Sequence, residues 1–470
     1  MSIRIFGHYV SVPLFLLMLA EWGIHIGATY LAGTLRFLEL NFHLISPTGD
    51  EQLLFPRAVV YATVVLIVMI AFGLYSTALY QETREYKVRF FASFPAAALA
   101  MMIIFYVLPQ SFLGRGILAI SLAFSLLLTM VTRALLFRMV GNQALKRRVL
   151  VLGSGSRAAE VDGLLKTLGP SAGFHLVGFV RCGDEQPSVE RFKLLPGDCS
   201  SLRGLVQQHR VNEIVVGVRD RRNGYLSMER LLECRLDGVN VVDLPTFFER
   251  ETGCVQLNSL SASWMVYSPG FAKNGFDKLV KRVFDICVSA AMLVAALPVM
   301  LLAALAIWLE TGRPILYRQK RIGESGQAFE ILKFRSMRID AERDGVARWA
   351  KQNDDRVTRV GKFIRATRID ELPQLVNVLW GEMSFVGPRP ERPPFVSDLS
   401  RKVPYYASRH SVKPGITGWA QVRYPYGSSV DDAVSKLQFD LYYVKNHSLF
   451  LDLLILAQTA HVVLFGRGAR

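Results

Sequence analysis

Four long apolar stretches, at residues 10–31, 58–79, 90–108 and 117–137, dominate the first 140 residues. Each approaches the roughly 20 residues that a helix needs to cross a bilayer core. Four such stretches in succession, without an amphipathic stripe, predict membrane-crossing helices rather than the buried helices of a soluble bundle. The first is too long, and too polar after Glu21, for a cleaved signal, and no small-residue cleavage site follows it.

The pattern then changes period. Residues 148–155 read RVLVLGSG, a β-branched run into Gly153-Ser154-Gly155, followed by a helix-like stretch at 157–168. Further strands are predicted at 174–180, 213–218 and 239–243, with helices near 200–209 and 226–236. Alternating strands and helices imply a doubly wound parallel sheet, a Rossmann-like α/β domain over 146–255. Its Gly-rich turn presents backbone N–H groups to an anion, which makes Gly153 and Gly155 candidate nucleotide contacts. The dinucleotide fingerprint also wants an acid at the end of the second strand. Arg181 stands there, and Asp184 comes too late. A scaffold for packing, dimerisation or nucleotide sensing is the preferred reading, and a bound nicotinamide cofactor the lesser one.

A third pattern covers residues 276–322. The apolar run VFDICVSAAMLVAALPVMLLAALAIWL lies between Lys278, Lys281 and Arg282 on one side and Arg313, Arg318, Lys320 and Arg321 on the other. Pro298 sits near its middle, where it removes a helix hydrogen bond. Basic flanks at both ends predict a re-entrant helix over about 276–310, entering, bending at Leu297-Pro298 and leaving on the same face. A straight crossing is the alternative. Asp285 is placed to anchor the entry by pairing with Lys281 or Arg282. The last apolar stretch carries Asp452 and His461 and is short for a span, so a helix lying in the membrane interface is expected.

Charge sharpens this picture. The chain has 470 residues, is 51% hydrophobic, and carries a formal charge of +16. A membrane protein with a basic cytoplasmic face combines those traits, because Lys and Arg stay cytoplasmic and attract anionic headgroups. Arg84, Lys87 and Arg89, and then Arg133, Arg138, Lys146, Arg147 and Arg148, put both ends of the first block in the cytoplasm, whereas Asp50 and Glu51 mark an outer loop. No nucleic-acid module is recognisable, so nucleic acid is not an expected partner. The five cysteines form no CxxC pair and read as buried thiols without a disulfide framework or a structural metal.

The densest polar patterning lies at KFRSM (333–337), at 356–391 and at KPGITGWAQV (413–422). Asp370-Glu371 is expected to open a helix running to about Trp380, stopped by Gly381, with Pro373 in the first turn. By spacing alone the two acids read as a helix cap and a dipole partner. Their surroundings add a second reading. Arg356, Arg359, Lys362, Arg365 and Arg368 crowd the approach, Lys333 and Arg335 precede it, and Arg389 and Arg392 follow. So many cations with so few acids suit a polyphosphate site, where guanidinium forks match phosphate oxygens. A solvated basic face against the membrane stays open.

With KRVFD at 281–285, Pro298, KFRSM, DELPQLVNVLWGEMSFVGPRPE and PGITGWAQV in view, residues 275–465 resemble the bacterial sugar transferase family, the monotopic phosphoglycosyl transferases. The whole chain resembles its long members, the undecaprenyl-phosphate hexose-1-phosphate transferases of exopolysaccharide and O-antigen synthesis. The resemblance implies a membrane protein of three parts: a four-helix transmembrane bundle at 1–145, a Rossmann-like domain at 146–255 and a mostly α catalytic domain at 256–470. It implies Asp370 as a covalent nucleophile on a UDP-galactose or UDP-glucose donor and Glu371 as a Mg2+ ligand. It further implies Lys333, Arg335, Arg365 and Arg389, with Pro390 of the same loop, as phosphate-holding or pocket-shaping residues. Undecaprenyl phosphate is the implied acceptor, the bacterial inner membrane the implied location, and a homodimer the favoured state. The family's hairpin carries Ser-Pro at its break; here it is Leu297-Pro298, so the bend must rest on the proline and its surroundings.

Overall fold

The computed structural model describes residues 2–5, 8–38, 54–75, 83–140, 146–169, 172–182, 186–190, 193–218, 227–257, 260, 262–268, 270–271, 274–338, 355–424, 427 and 429–465. Asp50, Glu51 and Asp184 lie outside them. The chain divides into two compact units, one of Met1–Ile3 with Tyr9–Glu251 and the other of Arg4–His8 with Thr252–Arg470.

After two short strands, β1 (Ser2–Ile5) and β2 (His8–Ser11), the first unit opens with four long helices. These are α1 (Val12–Leu38), α2 (Leu54–Ala71), α3 (Thr83–Val107) and α4 (Arg115–Val140). All four are long and apolar enough to cross a membrane. α1 packs on α2 and α4, and α2 on α3. α2 ends earlier than its apolar run. Gly73 takes φ +73°, and the Leu74 N–H reaches back to the Met69 carbonyl, a Schellman closure that the hydropathy pattern does not reveal. Glu21 of α1 and Arg133 of α4 meet in a buried bidentate pair, with Arg133 Nη2 2.8 Å from Glu21 Oε2. Tyr86 accepts from Arg133 at 2.8 Å, and Tyr75 donates to Glu21. Charged groups among apolar helices are costly unless paired in this way.

The α/β part follows as β3 (Arg147–Leu152), α5 (Ser156–Leu168), β4 (Phe174–Arg181), β5 (Leu194–Asp198), α6 (Leu202–Gln208), β6 (Glu213–Val216), α7 (Met228–Leu236), β7 (Asn240–Asp243) and α8 (Leu244–Thr252). The five strands are all parallel, in the order β5-β4-β3-β6-β7. Period-2 alternation builds two layers. Leu150, Leu152, Ile214 and Val216 face α6 and α7, while Val149, Val151 and Val215 face α5 and α8. Gly153 and Gly155 sit at the β3–β6 switch point, where the sheet order reverses. Gly153 holds φ +109°, and a Cβ there would come within 3.2 Å of the Gly217 backbone. The turn's first glycine is therefore accounted for by packing. β5 and α8 escaped the sequence reading. β5 also places Cys199 beside Cys182 at the end of β4, with Cα atoms 5.5 Å apart. Nothing in a 17-residue spacing announces that proximity. Cys234 and Cys254 are buried, but Cys287 is exposed.

The second unit holds α9 (Ala262–Tyr267), α10 (Gly275–Thr311), the hairpin β8 (Leu316–Ile322) and β9 (Ala328–Phe334), then α11 (Arg359–Ala366), α12 (Gln374–Trp380) and β10 (Ser384–Val386). It closes with α13 (Pro393–Lys402), β11 (Gly415–Thr417), α14 (Trp419–Arg423), α15 (Val430–Asn446) and α16 (Leu449–Phe465). β10 and β11 pair in parallel, and a core of Leu375, Phe385, Leu399, Tyr406, Trp419, Leu437, Leu441 and Ile455 binds these pieces.

The run expected to bend at Leu297-Pro298 forms one continuous helix, α10, of 37 residues, and by length and composition it too could cross a membrane. Its buried positions Asp285, Ser289, Ala303 and Ile307 fall on one face, since 18 residues separate Asp285 from Ala303 and make five turns. Pro298 is exposed and lies off that face. α16, the helix expected in the membrane interface, has Leu451, Asp452 and Ile455 fully buried in the core of this unit.

Candidate active site

Asp370 and Glu371 do not open α12. They form a separate 3-10 turn, Ile369–Glu371, entered through Arg368 in the left-handed region at φ +61°. α12 begins three residues after Glu371, and Gly381 at φ +90° stops it as expected. Asp370 caps no helix, which removes the blander of its two readings. Both acids are 8% exposed.

Three segments converge on Glu371. Lys333 from β9 reaches its Oε1 at 3.0 Å, Arg389 from the loop after β10 at 2.7 Å, and Arg368 at 3.9 Å. Burial opposes the charge of Glu371, but Arg389, Lys333 and Arg368 outweigh it and hold the carboxyl well below its usual range. Burial likewise pulls Lys333 down, against the attraction of Glu371. Asp370 shows the reverse balance. Burial, with the neighbouring Glu371 charge, raises its pKa against Lys333, Arg365 and Arg368. Among the described residues its carboxylate has no hydrogen-bond or ion-pair partner. The site thus holds one tightly paired carboxylate and one unpaired carboxylate within a cationic field, an arrangement suited to receiving a polyphosphate beside a nucleophile.

Pro390 is buried in the Arg389 loop, and four donors fix that loop's backbone. Gly415 N–H donates to the Pro388 carbonyl, Arg409 to Arg389, Arg321 to Pro390 and Ile322 N–H to Glu391, each at 3.0 Å. Arg409 is buried and balanced by Asp440 at 2.7 Å. The sequence reading named neither as a site residue. One signal was present: Asp440 lies on the buried face of α15 between Leu437 and Leu441, and a buried acid demands a cation.

Arg335 is a correction. It does not join the cluster; its Nη2 donates to the Thr311 carbonyl and hydroxyl and the Gly312 carbonyl, closing the C-terminal end of α10. Arg365 acts on Asp370 through charge alone. The anchor expected at the entry of α10 is present, with Lys281 3.1 Å from Asp285. Lys281 also meets Asp452 at 2.7 Å, which explains the buried acid of α16. Asp285 accepts from the Phe385 N–H at 3.1 Å. Arg282 instead caps α12, donating to the Val378 carbonyl at 2.6 Å and the Leu379 carbonyl at 2.8 Å.

A divalent cation is compatible with Glu371. Its Oε1 is taken by Lys333 and Arg389, which leaves Oε2 as a donor. No cluster of three metal-binding side chains exists among the described residues, so the other ligands would come from substrate and water.

The family described as bacterial sugar transferase matches residues 276–466. The chain is 41% identical over 243 residues to a UDP-N-acetylgalactosamine-undecaprenyl-phosphate N-acetylgalactosaminephosphotransferase of Aeromonas hydrophila, covering 51% of this chain and 56% of that one. It is 32% identical over 335 residues to an undecaprenyl-phosphate glucose phosphotransferase of Komagataeibacter xylinus, covering 70% and 61%. A UDP-glucose:undecaprenyl-phosphate glucose-1-phosphate transferase of Klebsiella pneumoniae is 32% identical over 329 residues, with 69% of this chain and 68% of the relative covered. The chain thus spans little more than half of the first two relatives. With the matched region enclosing the whole Lys333–Glu371–Arg389 cluster, this chain belongs to the bacterial sugar transferase family.

Proposed function

We propose that this protein transfers a sugar 1-phosphate from a UDP-sugar to undecaprenyl phosphate. The observation that carries the reading is the unpaired Asp370 carboxylate beside a Glu371 held by Lys333 and Arg389. In the first displacement, an Asp370 oxygen attacks the phosphorus that bears the sugar. A new O–P bond forms, the bond to the second phosphate breaks, and UMP leaves with the electron pair. In the second, a phosphate oxygen of undecaprenyl phosphate attacks the same phosphorus and expels the Asp370 carboxylate. Undecaprenyl-diphosphate-sugar is released and the enzyme is restored. Lys333 and Arg389 neutralise donor phosphate oxygens, and Arg365 and Arg368 extend the positive field to the incoming acceptor. Glu371 would hold Mg2+, which would polarise the diphosphate when bound.

The membrane arrangement belongs to the same proposal. α1–α4 cross the bacterial inner membrane with both ends cytoplasmic, and α10 dips into one leaflet and returns. Pro298 supports the bend. The ring lies off the buried face, and a proline kink turns a helix away from its ring, around the catalytic unit. The catalytic face is then cytoplasmic, where a soluble donor meets a lipid-linked acceptor. The names of the relatives favour glucose or N-acetylgalactosamine as the sugar, galactose is a further candidate, and exopolysaccharide or O-antigen assembly would consume the product. A homodimer is the proposed state.

The test is product analysis with purified protein, undecaprenyl phosphate, Mg2+ and a panel of UDP-glucose, UDP-galactose and UDP-N-acetylgalactosamine. UMP is the expected nucleotide. Release of UDP without UMP would assign the chain to sugar transfer without the phosphate.

A further inference from the structure

Lys333, Glu371 and Arg389 come from segments far apart in sequence, and one residue outside the cluster ties the Lys333 strand to α12 and to the turn that follows it. Asn377 is fully buried on α12. Its Oδ1 accepts from the Leu332 N–H at 3.0 Å, and its Nδ2 donates to the Glu330 carbonyl at 2.8 Å. The side-chain amide therefore stands in for a strand residue on the free edge of β9, next to Lys333. The second Nδ2 hydrogen goes to Glu382 Oε2 at 2.7 Å. The Asn377 carbonyl accepts from the N–H groups of Gly381, Glu382 and Met383. That turn leads through β10 to the Arg389 loop. Glu371 lies in the turn just before α12.

We infer that Asn377 is a positioning residue that fixes β9, and with it Lys333, against α12, and so shapes the site that takes the donor's diphosphate. The inference rests on the function proposed above. An asparagine is required because only an amide presents an acceptor and two donors in one plane. Leucine or valine would leave a strand N–H and a carbonyl buried without partners. Aspartate keeps the shape but turns an anion toward the Glu330 carbonyl and the Glu382 carboxylate. Asn377 makes no hydrogen bond to Glu371 or Asp370 among the described residues, so its effect must pass through Lys333 and its neighbours.

The test is a double-mutant cycle on the full chain in nanodiscs, read as UDP affinity by calorimetry in the presence of Mg2+. Asn377→Asp is expected to weaken UDP binding roughly 10- to 100-fold, the scale of a small misplacement within a site. Adding Glu382→Gln supplies a donor to the introduced carboxylate and is expected to restore part of the loss. In a Lys333→Met background, the same Asn377→Asp change is expected to cost less than about twofold, because the residue it positions is gone. Equal losses in both backgrounds, with no rescue by Glu382→Gln, would show a general role in folding and overturn the inference. Thermal unfolding reports whether each variant folds. If Asn377→Asp does not, Asn377→Ala enters the same cycle. A wild-type chain that fails to bind UDP would overturn the proposed function and this inference together, whereas an additive cycle in a UDP-binding protein would overturn this inference alone.

Discussion

Two adjacent carboxyls in this protein are driven in opposite directions by the groups around them. Glu371 is buried but surrounded by cations that keep it ionised, whereas Asp370 is buried without a partner and its pKa is raised. Asp370→Asn keeps shape and burial and removes the nucleophile, so turnover is expected to fall to background while the melting temperature holds or rises. UMP release and thermal unfolding on the same preparation check this, and full activity in the variant would exclude a covalent role. A second residue reports through pH. Burial, and then the Arg409 charge, lower His410 from 6.5 to about 4. The unfolded chain takes up a proton that the folded ring refuses. Its stabilising contribution is therefore complete above pH 6.5 and is lost as the pH falls toward 4. His410→Gln is expected to flatten the decline of melting temperature across that interval; an unchanged slope would show that other groups dominate.

At the scale of elements, α10 decides how the membrane and the chemistry are joined. Its first turns hold Asp285 on β10, Lys281 on Asp452 and Arg282 on the end of α12. Its last turns receive Arg335, and Glu310 accepts from the Arg359 and Val360 N–H groups at the start of α11. The segments before and after Asp370 are thus both fastened to one membrane helix. A re-entrant α10 places its two ends on the same side. Cysteines introduced as Lys278→Cys and Arg313→Cys, in a Cys287→Ser background, are expected to react with an impermeant thiol reagent from the cytoplasmic side of oriented vesicles. Labelling of the two from opposite sides would establish a straight crossing. Pro298 stands inside the continuous α10, because a proline removes one hydrogen bond and bends a helix without having to end it.

At the scale of the molecule, every described residue that touches Glu371 lies in the stretch from Thr252 onward, which has its own core. The chain lacking residues 1–251 is accordingly expected to retain UMP release in detergent. Complete loss in a folded preparation would place an essential part of the site in the first unit. Much of this organisation was legible in the sequence, because it follows from local rules. Apolar length marked α1–α4, the change from long runs to alternation marked the parallel sheet, and the basic crowding around Asp370 marked the cationic cluster. What the sequence could not show depends on which backbone meets which. Arg335 and Arg389 look alike in the sequence, yet one closes the end of α10 and the other reaches Glu371, because β9 and the loop after β10 present them to different neighbours. Cys182 and Cys199 meet only because β4 and β5 lie side by side. Asp452, Asp440 and Asn377 sit in helical stretches whose pattern says only that a polar group is buried, and the partner that makes each tolerable comes from a distant segment. Periodicity and charge determine which elements form and where cations gather. Tertiary packing decides which of those cations meets the carboxylate, because a buried charge is stable only opposite the partner that the fold brings to it.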